Sequence, residues 1–147
     1  MKIALGADHG GYDLKNKIQK HLEERGFTVV NFGVDGPESV NYPDYAHPVC
    51  EAVVSGACTL GILVCGTGIG MSIAANKHKG IRAACCSDTY SARMTRKHND
   101  ANVLCLGGRV VGDCLAMDMV DIFVDTAFEG GRHATRVAML NALDENR

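Results

Sequence analysis

A cysteine placed directly before a run of glycines is the feature of this sequence with the clearest chemical potential. Cys65 ends an apolar run and is followed at alternate positions by Gly66, Gly68 and Gly70. Glycine lets a backbone approach a ligand closely, so several N–H groups of such a loop can point at one anion. The same donors, with the start of a following helix, would favour the thiolate form of Cys65. We therefore predict an anion site beside a reactive thiol that serves as nucleophile or base.

Two other interpretations of this loop are open. A nucleotide-binding P-loop would end in Gly-Lys-Ser/Thr, whereas Gly70 is followed by Met71, and the G-x-G-x-G spacing misses the dinucleotide fingerprint by one residue. The loop also follows the third predicted strand and not the first. We favour an anion or oxyanion cradle over nucleotide binding. A purely structural turn, with Cys65 as one more buried thiol, is the remaining alternative.

A nucleophilic cysteine needs a histidine within hydrogen-bond reach. Three histidines are candidates for that role: His9, His98 and His133. The sequence does not decide which of them approaches Cys65. His21 and His78 lie among charged residues and are expected on the solvated surface, and His47 is expected to pack locally on its helix.

Two arginines form a second candidate site. Arg132 and Arg136 are four residues apart at the start of the last predicted helix, so both project from one face at a helix N-terminus, where anions bind. Arginine binds phosphate through paired N–H donors. The alternative is a solvated helix face with ion pairs to Glu129 or Asp144. The glycines at positions 130 and 131 favour a phosphate clamp, because paired glycines rarely open a helix without a reason.

Short apolar runs alternate with longer amphipathic segments, which is typical of repeated βα units around a parallel sheet. The predicted strands are Lys2 to Ala7, Phe27 to Gly33, Leu60 to Cys65, Ile81 to Cys86 and Asn102 to Leu106. A first helix carries the apolar stripe Leu14, Ile18 and Leu22 and ends at Gly26. Further helices are predicted near Tyr45 to Ser55, Gly70 to Lys77, Thr89 to Lys97, Gly112 to Ala127 and Ala134 to Asp144. We predict a three-layer αβα, Rossmann-like fold with a five-stranded parallel sheet, residues 1–147 forming one domain.

In such sheets ligands bind outside the carboxyl ends of the strands. Glycine-containing turns follow the first, third and fifth predicted strands: Asp8-His9-Gly10-Gly11, the loop after Cys65, and Gly107-Gly108-Arg109. The residues that contact a ligand are therefore expected in these turns, and their glycines let the backbone approach it closely.

Composition narrows the class of protein further. The 147 residues are 46% hydrophobic and 22% charged with a net charge of -2, which argues against disorder and against a module that neutralises nucleic-acid phosphates. No window approaches a membrane span and no export signal is evident, so a cytoplasmic protein is expected. The seven cysteines are an odd number, and we expect reduced, buried thiols, with Cys85, Cys86 and Cys105 as examples. Without a C-x-x-C pair or an H-E-x-x-H helix, no metal site is predicted.

The segment from Gly112 to Ala127 is apolar over more of its circumference than a helix packed on one sheet face requires. Its apolar residues are Leu115, Met119, Val120, Ile122, Phe123 and Val124. This surplus predicts a subunit interface.

Taken together, the motifs resemble ribose-5-phosphate isomerase type B, a family of sugar-phosphate isomerases that also contains the galactose-6-phosphate isomerase subunits. The resemblance covers essentially the whole chain. It rests on Gly6-Ala7-Asp8-His9-Gly10-Gly11, the block from Cys65 to Lys77, Gly80-Ile81-Arg82-Ala83, the block from His98 to Leu104, and Glu129-Gly130-Gly131-Arg132-His133.

The resemblance implies interconversion of D-ribose 5-phosphate and D-ribulose 5-phosphate through a cis-enediolate, in the non-oxidative pentose phosphate pathway, without a metal or other cofactor. It also implies a homodimer, or a dimer of dimers, whose active site is shared between chains. Two alternatives stay open: an isomerase of a six-carbon sugar phosphate (allose 6-phosphate or galactose 6-phosphate), and a non-catalytic flavodoxin-like module that binds a phosphate.

The same resemblance assigns roles to residues. Cys65 is implied as the base that moves a proton between C2 and C1, with Thr67 as a hydroxyl that shuttles protons at the substrate oxygens. Asp8 and His98 are implied to open the sugar ring. The implied enediolate contacts are the amides of Gly66, Gly68, Ile69 and Gly70, together with Asn99. The implied phosphate contacts are His9, Arg109, Arg132 and Arg136, and Tyr42 is implied to touch the substrate.

Overall fold

The computed structural model describes residues 1–145, which form five strands and six helices in alternation over most of the chain. The strands are β1 (Lys2–Ala7), β2 (Thr28–Asn31), β3 (Leu60–Cys65), β4 (Ala83–Cys85) and β5 (Val103–Gly107). The helices are α1 (Tyr12–Glu24), α2 (Pro43–Val54), α3 (Ile69–Ala75), α4 (Thr89–Asn99), α5 (Asp113–Asp125) and α6 (Arg132–Asp144).

All five strands form one parallel sheet in the order β2-β1-β3-β5-β4. The predicted five-stranded parallel sheet is confirmed. Strands β1 and β3 have the predicted bounds, and β5 lies one residue later than predicted. The edge strands β2 and β4 are shorter than predicted. An edge strand has a neighbour on one side only, so its pairing ends where that single neighbour diverges.

Helices cover both faces of the sheet, because alternate residues of each strand point to opposite sides. Ile3, Ile62 and Leu104 belong to a core formed with α1 and α5. Ala4, Leu63 and Cys105 belong to a second core formed with α2 and α3. These two cores give the predicted three-layer αβα arrangement, and they place the side chain of Cys65 on the α2 and α3 side.

The apolar residues around the circumference of α5 pack mainly against other elements of the same chain. Helix α5 packs against both α1 and α4 as well as the sheet, and Met119, Val120 and Phe123 are fully buried. Neighbouring helices thus cover most of its surplus apolar face, although Leu115 stays exposed, so a subunit interface is not needed to explain that face and stays a prediction. Exposed large apolar side chains also occur on α6, at Met139 and Leu143 among others.

Three other expectations are corrected by the tertiary contacts. His21 is not simply solvated: its Nε2 lies 2.7 Å from Asp121 Oδ1 of α5. His78 Nε2 lies 2.9 Å from His47 Nδ1, because the chain after α3 returns beside α2. Cys85 is exposed and not buried, since β4 is an edge strand. Within residues 1–145, no helix has the length and apolar character needed to cross a bilayer.

Gly11 joins β1 to α1 at a point where the backbones nearly touch. A Cβ on this residue would lie 2.3 Å from the carbonyl oxygen of Val64 in β3. Gly11→Ala is therefore expected to lower the free energy of unfolding by about 3 kcal/mol, because the backbone of either loop or strand must shift. Urea denaturation measures this loss.

The matched control for that substitution is Gly112→Ala. Gly112 has a φ of -74°, and a Cβ built on it meets nothing within 4 Å. This variant is expected to lose less than about 1 kcal/mol. Equal stability losses in the two variants would contradict the steric explanation.

Candidate active site

The three glycine-containing turns that follow β1, β3 and β5 meet at the carboxyl edge of the sheet. The Asp8 amide donates to Val64 O at 3.2 Å, the Gly108 amide to Cys65 O at 2.8 Å, and the Arg109 amide to Gly66 O at 3.0 Å. Backbone hydrogen bonds thus fasten the turn after β1 and the turn after β5 to the end of β3. Residues that follow three different strands share one site.

The loop after β3 lies directly on top of β5. Gly68 has a φ of +80°, and a Cβ on it would lie 2.8 Å from the backbone of Leu106. A Cβ on Gly107 would lie 2.8 Å from the backbone of Thr67. Both glycines are needed for this approach, and Gly68 is also needed for its left-handed backbone. The loop is consequently held in one conformation with its amides in fixed positions.

Cys65 is the centre of this loop. Its side chain is 5% exposed, and the Gly68 amide donates a hydrogen bond to Sγ at 3.1 Å. An N–H donor stabilises negative charge on the sulfur. Two other thiols are unsuited to this role, because burial raises the pKa of Cys50 to about 12 and that of Cys86 to about 11 and so keeps both protonated.

Thr67 and Tyr42 flank the loop on its exposed side. The Thr67 hydroxyl accepts a hydrogen bond from the Ile69 amide at 3.2 Å, which leaves its own hydrogen available to donate. The ring of Tyr42 lies against Gly70, where an added Cβ would be 2.9 Å from it. The structure therefore brings Thr67, Ile69, Gly70 and Tyr42 to the same mouth as Cys65.

Asp8 and His9 are both oriented by backbone amides. Asp8 is 7% exposed, and its Oδ1 accepts from the amides of Gly10 at 2.9 Å and Gly11 at 3.2 Å. His9 Nδ1 accepts from the Val40 amide at 3.2 Å. A neutral ring that accepts at Nδ1 carries its hydrogen on Nε2, so His9 presents a donor suited to a phosphate or a sugar hydroxyl.

Arg109 belongs to the same edge, where its guanidinium extends over Gly66. A Cβ on that glycine would be 3.4 Å from Arg109 Nη1. The side chain is exposed and supplies positive charge beside the glycine loop. Ten of the predicted residues thus lie together at this edge. We call them the carboxyl-edge group: Asp8, His9, Tyr42, Cys65, Gly66, Thr67, Gly68, Ile69, Gly70 and Arg109.

The other predicted residues lie at the opposite edge. Helix α4 begins after β4 and runs back along the sheet, so His98 and Asn99 in its last turn lie near the amino ends of the strands. Arg82, just before β4, donates from Nε to Asn99 O at 3.1 Å. The rings of His98 and His133 are stacked with centroids 4.1 Å apart. We call His98, Asn99, Arg132, His133 and Arg136 the amino-edge group.

The predicted pairing of Asp8 with His98 is therefore not formed within one chain. Strand β5 alone, from Val103 to Gly107, separates the two edges by roughly 13 Å at about 3.3 Å per residue. Likewise, within one chain His98 and His133 do not lie beside Cys65. Of the three candidates, only His9 lies at the carboxyl edge.

The amino-edge group is cationic and partly buried. Burial, together with the neighbouring His98 and Arg132, lowers the pKa of His133. Arg132 and Arg136 are exposed, and among residues 1–145 neither forms an ion pair. Glu129 faces His133 instead, with Oε1 3.7 Å from Nε2. The alternative of a helix face ion-paired to Glu129 or Asp144 is not what the structure shows, and both guanidinium groups remain available to an anion.

One contributor to the carboxyl edge was missed from the sequence. Lys15 is 1% exposed, and its Nζ donates to Val34 O at 2.6 Å at the base of the loop that carries Val40. This contact anchors the segment whose amide orients His9. The sequence signal for this contact is the position of Lys15, which directly follows Leu14 of the apolar stripe on α1. Burial lowers the pKa of Lys15, and the nearby Asp35 opposes that effect.

Comparisons with known proteins give a consistent result. Residues 3–140 match the family model described as Ribose/Galactose Isomerase. The chain is 51% identical over 146 residues to ribose-5-phosphate isomerase B of Escherichia coli, which covers 99% of this chain and 98% of that protein. It is 48% identical over 138 residues to the D-erythrulose-4-phosphate isomerase of Pectobacterium atrosepticum, covering 93% of this chain and 91% of that protein. The solved structure of Clostridium thermocellum ribose-5-phosphate isomerase B superposes with a TM-score of 0.98 at 56% identity, covering 99% of each chain.

Proposed function

The chain belongs to the ribose/galactose isomerase family, and from that membership we propose that it interconverts D-ribose 5-phosphate and D-ribulose 5-phosphate. The observation that carries the proposal is the Gly68 amide 3.1 Å from Cys65 Sγ, in a glycine loop that leads into the N-terminus of α3. An aldose–ketose isomerase needs one base that reaches two adjacent carbons and donors for an oxyanion that exists only in the intermediate. Cys65 and its loop supply both.

The proton transfer follows from this geometry. The Cys65 thiolate removes the C2 proton of the open-chain aldose, and the electrons move into a C1–C2 double bond, giving a cis-enediolate. The loop amides donate to the oxyanion, and the Thr67 hydroxyl moves protons between the substrate oxygens. Cys65 then returns its proton to C1, which yields the ketose. The step exchanges one C–H bond and one C=O π bond for another of each, so a base at the carbons and proton donors at the two oxygens are the groups it requires.

Ring opening needs an acid and a base close to one another. The two residues implied for it lie at opposite edges of the sheet within one chain. Asp8 lies at the carboxyl edge and His98 at the amino edge of the same sheet, so the pair forms only between two chains. We therefore assign the second member to His98 of the partner subunit, in a homodimer or a dimer of dimers with a shared site. A two-fold interface is self-complementary, so each dimer gains two complete sites.

The surface of α6 supports this assembly. Met139, Leu140 and Leu143 are 67%, 45% and 61% exposed, and they follow Arg136 along the same helix. Exposed apolar side chains that adjoin functional residues are typical of an interface. Burying α6 against a second copy would bring its arginines and the stacked histidines to the partner's glycine loop.

Phosphate recognition is divided in the same way. His9 and Arg109 come from one chain, and the partner's Arg132 and the partner's Arg136 complete the site. All seven cysteines, which lie among the described residues, are free thiols, as expected in a reducing compartment. We accordingly place the protein in the cytoplasm.

Arg132→Ala is expected to raise KM for ribose 5-phosphate at least about tenfold with a smaller change in kcat, because a charge-assisted hydrogen bond to phosphate contributes about 1.5–3 kcal/mol to binding. Steady-state kinetics measure both constants. Lys20→Ala removes a positive charge from an exposed position on α1 and serves as the control. An unchanged KM in the arginine variant would mean that Arg132 is a solvated surface residue that does not bind the phosphate.

The proposed function itself is tested by following ketose formation from ribose 5-phosphate beside allose 6-phosphate and galactose 6-phosphate, with and without a chelator. Isomerisation of D-erythrulose 4-phosphate is measured in parallel. Turnover that is fastest with the pentose and insensitive to the chelator is expected. Faster turnover of a four- or six-carbon substrate would mean that the protein is an isomerase of that sugar phosphate. No turnover of any of these substrates would mean that it is a non-catalytic module that binds a phosphate.

A further inference from the structure

Three metal-ligating side chains meet at the amino edge, outside the glycine loop. His98, Glu129 and His133 each offer one ligand atom, and these atoms lie within 4.8 Å of one another. His133 is 5% exposed, yet its Nε2 has no hydrogen-bond partner among residues 1–145. A buried polar atom without a partner is rare in folded proteins and points to a ligand.

We propose that His98, Glu129 and His133 bind a divalent transition-metal ion, Zn²⁺ above all, and that this ion inhibits the enzyme reversibly. Two imidazole nitrogens and one carboxylate oxygen are a donor set that Zn²⁺ takes in sites with an open coordination position. Mg²⁺ prefers oxygen ligands in octahedral geometry, so it does not fit this set.

Small movements suffice to form the site. Glu129 Oε1 lies 3.7 Å from His133 Nε2, and tetrahedral zinc with bonds of about 2.0–2.2 Å holds two ligand atoms roughly 3.4 Å apart. The glutamate is 51% exposed and free to close this gap. The stacked rings are 14° from parallel, so their in-plane lone pairs do not converge until His98 rotates. His98 is only half-buried at the end of α4 and has room for that rotation.

The positive charge around the cluster determines how tightly a metal ion is held. Arg132 and Arg136 flank the cluster and repel a cation, so we expect a metal that exchanges with solvent and not a permanently held ion. An ion that occupies the lone pair of His98 removes the group assigned to ring opening. Inhibition should therefore appear as a lower kcat with the cyclic sugar phosphate. The inhibition rests on the proposed function, whereas the binding does not.

Binding is tested with Co²⁺, whose visible d–d absorption reports coordination geometry. Titration of the metal-free protein is expected to give tetrahedral or five-coordinate bands without a sulfur-to-cobalt charge-transfer band, because no thiol belongs to the cluster. Glu129→Gln should weaken Co²⁺ binding at least about tenfold. Asp118→Asn, which changes an exposed carboxylate elsewhere, should leave it unchanged.

Inhibition is tested separately with ZnCl₂ in the isomerase assay. The parent should be inhibited by Zn²⁺ but not by Mg²⁺, with recovery on adding a chelator. The Glu129→Gln variant should keep its basal turnover and need at least about ten times more Zn²⁺. Equal Co²⁺ binding by parent and variant, or a charge-transfer band showing thiolate ligation, would overturn the site. A chain that binds Co²⁺ but isomerises no sugar would retain the site and refute the proposed function.

Discussion

Cys65→Ala is expected to lower kcat for ribose 5-phosphate by about 10³-fold or more, with little change in the affinity for the substrate, because a positioned base contributes about 10²–10⁴-fold to such a reaction. The methyl group of alanine fills most of the 5%-exposed site without taking a proton. The loop is held by the backbone contacts of Gly108 and Arg109, so it should keep its shape. Steady-state kinetics give the loss of turnover, and calorimetric titration with the sugar phosphate gives the affinity.

Two further variants separate base catalysis from packing. Cys65→Ser keeps the size and the hydrogen bond from the Gly68 amide, but a hydroxyl is a far weaker acid than a thiol. This variant should therefore stay as inactive as the alanine variant. Cys85→Ala removes an exposed thiol whose Sγ lies 3.7 Å from Thr67 O, and it should retain most activity. Near-parental turnover in either Cys65 variant would refute the assignment of the base.

The central part of the fold was predictable from the sequence, and the edges were less so. Strand β3 is buried on both faces along its whole length, and β1 is buried from Ile3 onward, so their apolar runs match the strands to within one residue. The apolar runs around β2 and β4 continue beyond the hydrogen-bonded segments, because residues such as Phe27 and Ile81 pack under helices or loops without pairing. A run of apolar residues indicates which residues are buried, not which ones form hydrogen bonds to a neighbouring strand. The two sets of residues coincide only in the middle of the sheet.

The candidate site divides along a similar line. The carboxyl-edge group could be predicted, since parallel strands bring their following turns to one edge regardless of strand order. The location of His98 was not predicted. Helix α4 has eleven residues and spans roughly 16 Å, which is enough to return the chain to the amino edge. The predicted helix ended at Lys97, and nothing in the motif around His98 indicates which end of the sheet it reaches.

In the proposed shared site each chain contributes one of the two groups, so two inactive variants should restore activity to each other. Cys65→Ala damages only the carboxyl-edge group, and His98→Asn damages only the amino-edge group. A site that combines the intact half of each chain is complete. When the two variants are unfolded, mixed in equal amounts and refolded, about a quarter of the shared sites should be intact, since each half is independently correct in half of the cases. Activity of the mixture, compared with each variant refolded alone, measures the recovery.

The matched control mixes Cys65→Ala with Asp8→Asn. Both substitutions fall in the carboxyl-edge group, so every site in the mixed oligomer contains one damaged half and no recovery is expected. Restored activity in this control would mean that Cys65 and Asp8 act in different sites, contrary to the contacts that join their turns. Failure of the first mixture to recover, with mixed oligomers demonstrated by mass spectrometry, would mean that His98 acts within its own chain. That result would require α4 to leave the amino edge of the sheet, and it would remove the physical reason for a shared site.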